Sequence, residues 1–126
     1  MVERLTSSHA PKAIGSYSPA SRVGNLIFTS GQLGIKRQTG QLVADDIVSQ
    51  TTQAMTNLRY ILEENGTKLD NIVKITVYLK DIADFKAFDQ AYQTFFTNTY
   101  PSRTAFEVGN LPMNAKVEIE VIASVE

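Results

Sequence analysis

Residues Asn71 to Lys80 read "NIVKITVYLK", and this stretch decides the fold class. Val73, Ile75, Val77 and Leu79 alternate with Lys74, Thr76 and Tyr78, a period of two that belongs to a half-buried strand, and the β-branched content agrees. The strand lies between two segments of helical period. From Asp46 to Glu64, Ile47, Thr51, Ala54, Met55, Leu58, Ile61 and Leu62 recur at helical spacing, with Asp45 and Asp46 as cap candidates and Asn65-Gly66 as the terminating turn. Beyond the strand, Phe85, Phe88, Tyr92, Phe95 and Phe96 form one stripe behind the cap candidate Asp84. It is ended by Tyr100-Pro101, because the residue before proline is biased out of the helical region. The aromatic stripe reads as core, not as a cofactor box.

On the N-terminal side, "YSPASRVGNLIFTSGQ" predicts strands over Tyr17 to Arg22 and Leu26 to Ser30, joined through Gly24-Asn25 and closed by Gly31. On the C-terminal side, "YPSRTAFEVG" (Tyr100 to Gly109) predicts a strand whose apolar face, Thr104, Phe106 and Val108, belongs to the core. Arg103, Ala105 and Glu107 occupy its other face. After a Gly-Asn-Leu-Pro connection, "KVEIEVIASV" sets Val117, Ile119, Val121 and Ala123 against Glu118, Glu120 and Ile122. The order is ββαβαββ, an α+β fold in which two helices pack on one face of a mixed β-sheet. The opposite sheet face has no helix left to cover it, so association through that face is expected.

At 126 residues the chain is read as a single domain, 1–126, with 43% hydrophobic and 20% charged residues, a composition of the ordinary globular class. The formal net charge of −1, with basic residues scattered, supplies no electrostatic footprint for nucleic acid, and none is expected as a partner. The absence of cysteine excludes disulfides, thiolate nucleophiles and Cys-based metal sites. "MVERLTSSHAPK" lacks the apolar centre of a signal peptide, and no apolar run approaches a membrane span, so a cytoplasmic protein without membrane contact is expected. The sequon Asn65-Gly66-Thr67 is read as the end of the first helix.

His9, the only histidine, lies in a polar segment and is read as a solvated surface residue, which leaves no basis for a histidine triad or a zinc site. "SGQLG" lacks the Lys-Ser/Thr of a phosphate loop and the spacing of a dinucleotide fingerprint. What remains is a set without metal or cofactor: Arg103, Glu107, Glu118 and Glu120 in the last two strands, with Tyr17 and Ser30-Gly31 in the first two. Arginine suits a small carboxylate because its planar fork makes two parallel charge-assisted bonds. The alternative is an ordinary ion pair of Arg103 with Glu107 or with a carboxylate of the neighbouring strand. Glu118 and Glu120 share a strand face. Beside a cleft, either is a competent relay for water-based proton transfer to an electrophile that is already activated, such as a protonated imine.

The segments "PKAIGSYSPA", "GNLIFTSGQLG", "QTTQAMTNLRYILEENGTKLDNIVKITVYLKD", "YPSRTAFEVGNLP" and "VEIEVIA" run in order over nearly the whole chain. Together they resemble the RidA family (YjgF type), the enamine/imine deaminases. The resemblance implies a chorismate-mutase-like fold assembled as a homotrimer with clefts between subunits. It also implies hydrolysis of short 2-imino acids, such as 2-iminopropanoate and 2-iminobutanoate, to 2-keto acids and ammonia without a cofactor. By the same resemblance, the carboxylate-binding arginine falls on Arg103, the hydroxyl-bearing tyrosine on Tyr17, the Ser-Gly turn on Ser30 and Gly31, and the water-associated glutamate on Glu120. Two positions depart from the family pattern. Many members have Arg-Ser-Cys where this chain has Arg103-Thr104-Ala105, which removes the thiol but leaves the Ala105 backbone. Asp89 stands where asparagine is frequent, adding negative charge near a carboxylate substrate if it faces the cleft.

Three rival readings accompany this one. A non-catalytic module would hold a 2-keto acid or another small carboxylate in the same Arg103 cleft. Nucleic-acid binding or cleavage lacks a basic stripe. Chorismate mutase chemistry requires groups for two carboxylates and an ether oxygen, against one strong arginine candidate.

Overall fold

The computed structural model describes residues 1–126. Its strands are β1 (Glu3–Leu5), β2 (Ala20–Val23), β3 (Leu26–Thr29), β4 (Gln32–Leu33), β5 (Ile72–Leu79), β6 (Ser102–Glu107) and β7 (Val117–Ser124). The helices are α1 (Ile47–Glu64) and α2 (Phe85–Gln93). The sheet order is β1-β2-β3-β7-β5-β6, with β4 also pairing β7, and β5–β6 is the parallel pair that makes the sheet mixed. The ββαβαββ frame is present with two short strands added, β1 and β4. Neither is long enough for side-chain alternation to announce it.

Both helices cover one sheet face. Ile75, Val77 and Leu79 of β5 and Val117, Ile119, Val121 and Ala123 of β7 meet Ala54, Met55, Leu58, Ile61 and Leu62 of α1 in the core. Each fully buried Val, Leu, Ile or Met side chain among them contributes roughly 1.5–3 kcal/mol to stability. Asp46 caps α1 by accepting the Ser49 N–H at 2.8 Å, and Asn65 closes it ahead of Gly66, whose φ of 90° takes the left-handed region.

Several expectations change in the structure. Val73 is 50% exposed while Ile72 is buried, because a bulge between Ile72 and Lys74 shifts the register by one residue at the start of β5. The second helix ends at Gln93, well short of Tyr100-Pro101, as the Thr94 hydroxyl takes the Ala91 carbonyl at 2.7 Å and Phe95 and Phe96 continue in tighter turns. Asp84 makes no capping bond. Asp81 instead accepts the Ala83 N–H at 2.9 Å, one turn earlier.

The largest change concerns β6, whose faces are reversed from the expectation. Parallel register pairs Arg103 with Ile75 and Ala105 with Val77, on the helix side, while Thr104 and Phe106 pair with Thr76 and Tyr78 on the open side. Phe106 is 43% exposed. β6 is an edge strand, and α2 offers it aromatic rings and a carboxylate instead of an aliphatic core, so its helix side can accommodate a cation.

Candidate functional site

The structure divides the expected site residues between two places. At the first, β3 leaves the ladder with β7 after Phe28 and rejoins it as β4, so Thr29, Ser30 and Gly31 have no paired residue on β7, although Thr29 still pairs with Ala20 of β2. The Thr29 hydroxyl accepts the Val121 N–H at 3.0 Å in place of a backbone partner. Ser30 binds the preceding loop twice, through its N–H to the Pro19 carbonyl at 2.9 Å and its hydroxyl to the Ser18 carbonyl at 2.6 Å. These bonds hold Tyr17 beside the bulge. Tyr17 lies in this loop, ahead of β2, where a strand had been expected.

A cavity of about 720 Å³ opens here, lined by Tyr17, Ser30, Gly31, Leu33, Met113 and Glu118 among others. That is the size of a small-molecule site. Gly31 leaves room for the Glu118 carboxylate to lie directly against the backbone, where a Cβ would force that side chain to move. Burial raises the pKa of Glu118, and the charge of Glu120 raises it further. A carboxyl so placed holds its proton more readily than a solvated one.

Glu120 does not line this cavity. Its carboxylate accepts the Tyr78 hydroxyl at 2.9 Å, and burial together with that bond and the two glutamate charges raises the tyrosine's pKa. The water-associated role assigned to Glu120 by resemblance therefore meets a residue engaged elsewhere, with Glu118 at the cavity in its place. The two share a strand face, and strand alternation alone carries no signal that separates them.

At the second place, Arg103 donates from Nη1 to Asp89 Oδ1 at 2.6 Å. Its Cζ lies 5.0, 5.8 and 4.9 Å from the ring centroids of Phe85, Phe88 and Tyr92, a clamp built by α2. Burial pushes the Tyr92 phenol up to about 12, against the opposing effect of the nearby Arg103 charge. Glu107 is not the partner of Arg103, since its carboxylate accepts the Ile82 N–H at 2.9 Å. Ala105 sits on the same face as Arg103, half-buried beside it.

Within one chain the two places do not meet. β6 is two strands from β7, roughly 10 Å, and Arg103 faces the helices while Glu118 and Glu120 face the open side. That open side also exposes Leu26, Phe28 and Phe106, each 39–43% accessible.

Sequence reasoning missed the polar residues that fix the cavity's frame. Gln50 and Asn57, fully buried on α1, hold the segment after Gly31. Asn57 donates to the Leu33 and Ile35 carbonyls at 3.1 and 3.0 Å, and Gln50 donates to the Ala44 carbonyl while accepting the Lys116 N–H. Their places at buried helical positions, among apolar neighbours, were the available signal. No three His, Cys, Asp or Glu side chains converge as a metal cluster, and no helix is long and apolar enough to cross a membrane.

The family model described as Endoribonuclease L-PSP matches residues 7–125. A RutC family protein of Pyrococcus abyssi is 45% identical over 121 residues, covering 96% of this chain and 95% of the relative. A 2-iminobutanoate/2-iminopropanoate deaminase of Capra hircus is 44% identical over 124 residues, covering 98% and 90%. Among solved structures, Escherichia coli TdcF with bound serine superposes with a TM-score of 0.92 at 35% identity, covering 97% of this chain and 98% of that one. The chain therefore belongs to the Endoribonuclease L-PSP family, the RidA/YjgF group that its motifs resemble.

Proposed function

We propose that the protein is a 2-iminobutanoate/2-iminopropanoate deaminase, a cytoplasmic hydrolase that converts short 2-imino acids to 2-keto acids and ammonia. Likeness over nearly the whole chain to a protein of that name supports the activity. The observation that supports the mechanism is the division of the site, with Arg103 on one sheet face and the Glu118 carboxyl at a cavity on the other. Neither half suffices alone. A homotrimer in which Arg103 and Ala105 of one copy approach Tyr17, Ser30, Gly31 and Glu118 of the next would unite them and cover the exposed open face.

In this assembly Arg103 orients the substrate carboxylate and Glu118 takes a proton from water as its oxygen bonds to C2 of the iminium. Glu118 then returns the proton to nitrogen and, ionised again, takes the remaining hydroxyl proton as the C–N bond breaks, so that the carbonyl forms as ammonia leaves and the proton passes on to the ammonia. Tyr17 and the Ser30-Gly31 bulge confine the reacting carbon. The electrophile is already activated, so positioning and one proton relay suffice. Glu120, tied to Tyr78, acts through its charge on Glu118.

The test is 2-keto acid appearance from freshly generated 2-iminopropanoate and 2-iminobutanoate, measured against the uncatalysed rate. Arg103→Ala and Glu118→Gln should each lower kcat/KM by about a hundredfold or more, and a wild-type rate in either variant would defeat the assigned role. The serine bound to TdcF favours a second reading, a small-carboxylate binding module. Tight keto-acid binding with no acceleration by the wild type would select it.

A further inference from the structure

A guanidinium has five N–H donors, and the structure engages one of those of Arg103, at Asp89. Three aromatic rings surround its guanidinium at 4.9–5.8 Å and favour the cation's place beside its partner. Both charges nevertheless reach solvent, with the Arg103 side chain 24% exposed and Asp89 more open at 41%. The spot therefore presents a paired dipole rather than a bare cation. A ligand carrying only a carboxylate gains Arg103 but must approach the Asp89 carboxylate. A ligand carrying a carboxylate and a cationic nitrogen on adjacent positions meets an opposite charge at each end.

We infer that Asp89 binds the protonated nitrogen of the substrate, so that the Arg103–Asp89 pair recognises a 2-iminium carboxylate as a zwitterion. The inference rests on the reading that Arg103 takes the carboxylate. In such a substrate the carboxyl carbon and the nitrogen are both bonded to C2 and lie about 2.5 Å apart, close to the 2.6 Å between the paired Arg103 and Asp89 atoms. Zwitterion and ion pair can thus lie antiparallel, each charge against its opposite. Asp89 accepts hydrogen bonds from the nitrogen and takes no proton, which keeps the imine in the protonated form that water attacks. Deamination removes the cation. The 2-keto acid left behind faces Asp89 with nothing to offer it, which favours release, and a substrate with a second carboxylate is disfavoured for the same reason.

The test is calorimetric titration of wild type and Asp89→Asn with 2-oxobutanoate, a carboxylate alone, and with L-serine, a carboxylate beside an ammonium. Neither measurement needs turnover. Asp89→Asn should bind 2-oxobutanoate roughly fivefold more tightly and L-serine roughly fivefold more weakly, the weight of one partly exposed charge pair. A change of the same sign for both ligands would mean that Asp89 merely positions Arg103, and no change in either would mean that it touches neither ligand; both results overturn the inference, as does a wild type that binds neither. Arg103→Ala separates the underlying reading. Retention of both ligands by that variant would remove the carboxylate role of Arg103, a failure distinct from an uncrossed Asp89→Asn result.

Discussion

Glu118 and Glu120 stand two residues apart on one strand face, yet their surroundings give them different chemistry. Glu118 lies over Gly31 at the cavity with its pKa raised by burial and by the charge of Glu120, while Glu120 is held by the Tyr78 hydroxyl. If Glu118 is the proton relay, activity rises with pH as it ionises. Removing the neighbouring negative charge makes that ionisation easier. Glu120→Gln should therefore move the ascending limb of the kcat/KM profile to lower pH, and Glu118→Gln should abolish the limb; an unmoved midpoint in Glu120→Gln would separate the two carboxyls. From the sequence, the choice between them was open on periodicity, and resemblance favoured Glu120. Only the register that sets Gln32 opposite Ile119 and Leu33 opposite Glu118 brings Gly31 beneath one of them.

At the scale of elements, the N-terminal segment is tied down by side chains that composition alone assigned to solvent. His9 remains 65% exposed, but its Nδ1 lies 2.6 Å from Glu64 Oε1, and the Ser8 N–H donates to the same carboxylate at 2.7 Å. The clasp joins the end of α1 to the chain following β1. Burial opposes ionisation of Glu64, but hydrogen bonds from His9, Ser8 and Ser7 outweigh it and lower the carboxyl from 4.5 to about 2. Because the folded value lies below the unfolded one, the clasp stabilises fully above pH 4.5, and its contribution is lost as pH falls toward 2. Glu64→Gln should cost about 1 kcal/mol at neutral pH. Urea titrations at fixed protein concentration should show this difference from wild type shrinking through that acid window, and a difference constant with pH would sink the account. The elements themselves were legible where one face meets an aliphatic core, as for α1 and β7. They were misread where another rule intervened: a bulge displaced Val73, and α2 closed early at Thr94, whose hydroxyl donates to the Ala91 carbonyl.

For the whole molecule, a site shared between copies has a consequence that a site within one chain lacks. Under the proposed shared site, Arg103→Ala and Glu118→Gln assemblies each lose nearly all activity, but in mixed assemblies an intact Arg103 from one variant can face an intact Glu118 from the other. Random exchange of equal amounts should restore about a quarter of the wild-type rate, the share of interfaces with both residues intact. Mixtures that stay inactive after exchange is confirmed by mass would place both residues' action within a single chain. The modest charge of −1 likewise predicts no steep salt-dependent RNA affinity, despite the nuclease in the family description.

By itself the sequence determined the class of fold and the inventory of chemistry. Alternation in "NIVKITVYLK" and "KVEIEVIASV", helical spacing in α1 and the lack of cysteine depend only on which residues follow which, because backbone periodicity sorts side chains locally. The ordered motifs added the family. Tertiary structure alone decided which face of β6 turns inward, since Arg103 and Phe106 fit opposite sides equally well until α2 supplies Asp89 and three rings. It also decided that Glu118 and Arg103 lie on opposite sides of one sheet, because strand register and sheet order are set by contacts between segments distant in the chain.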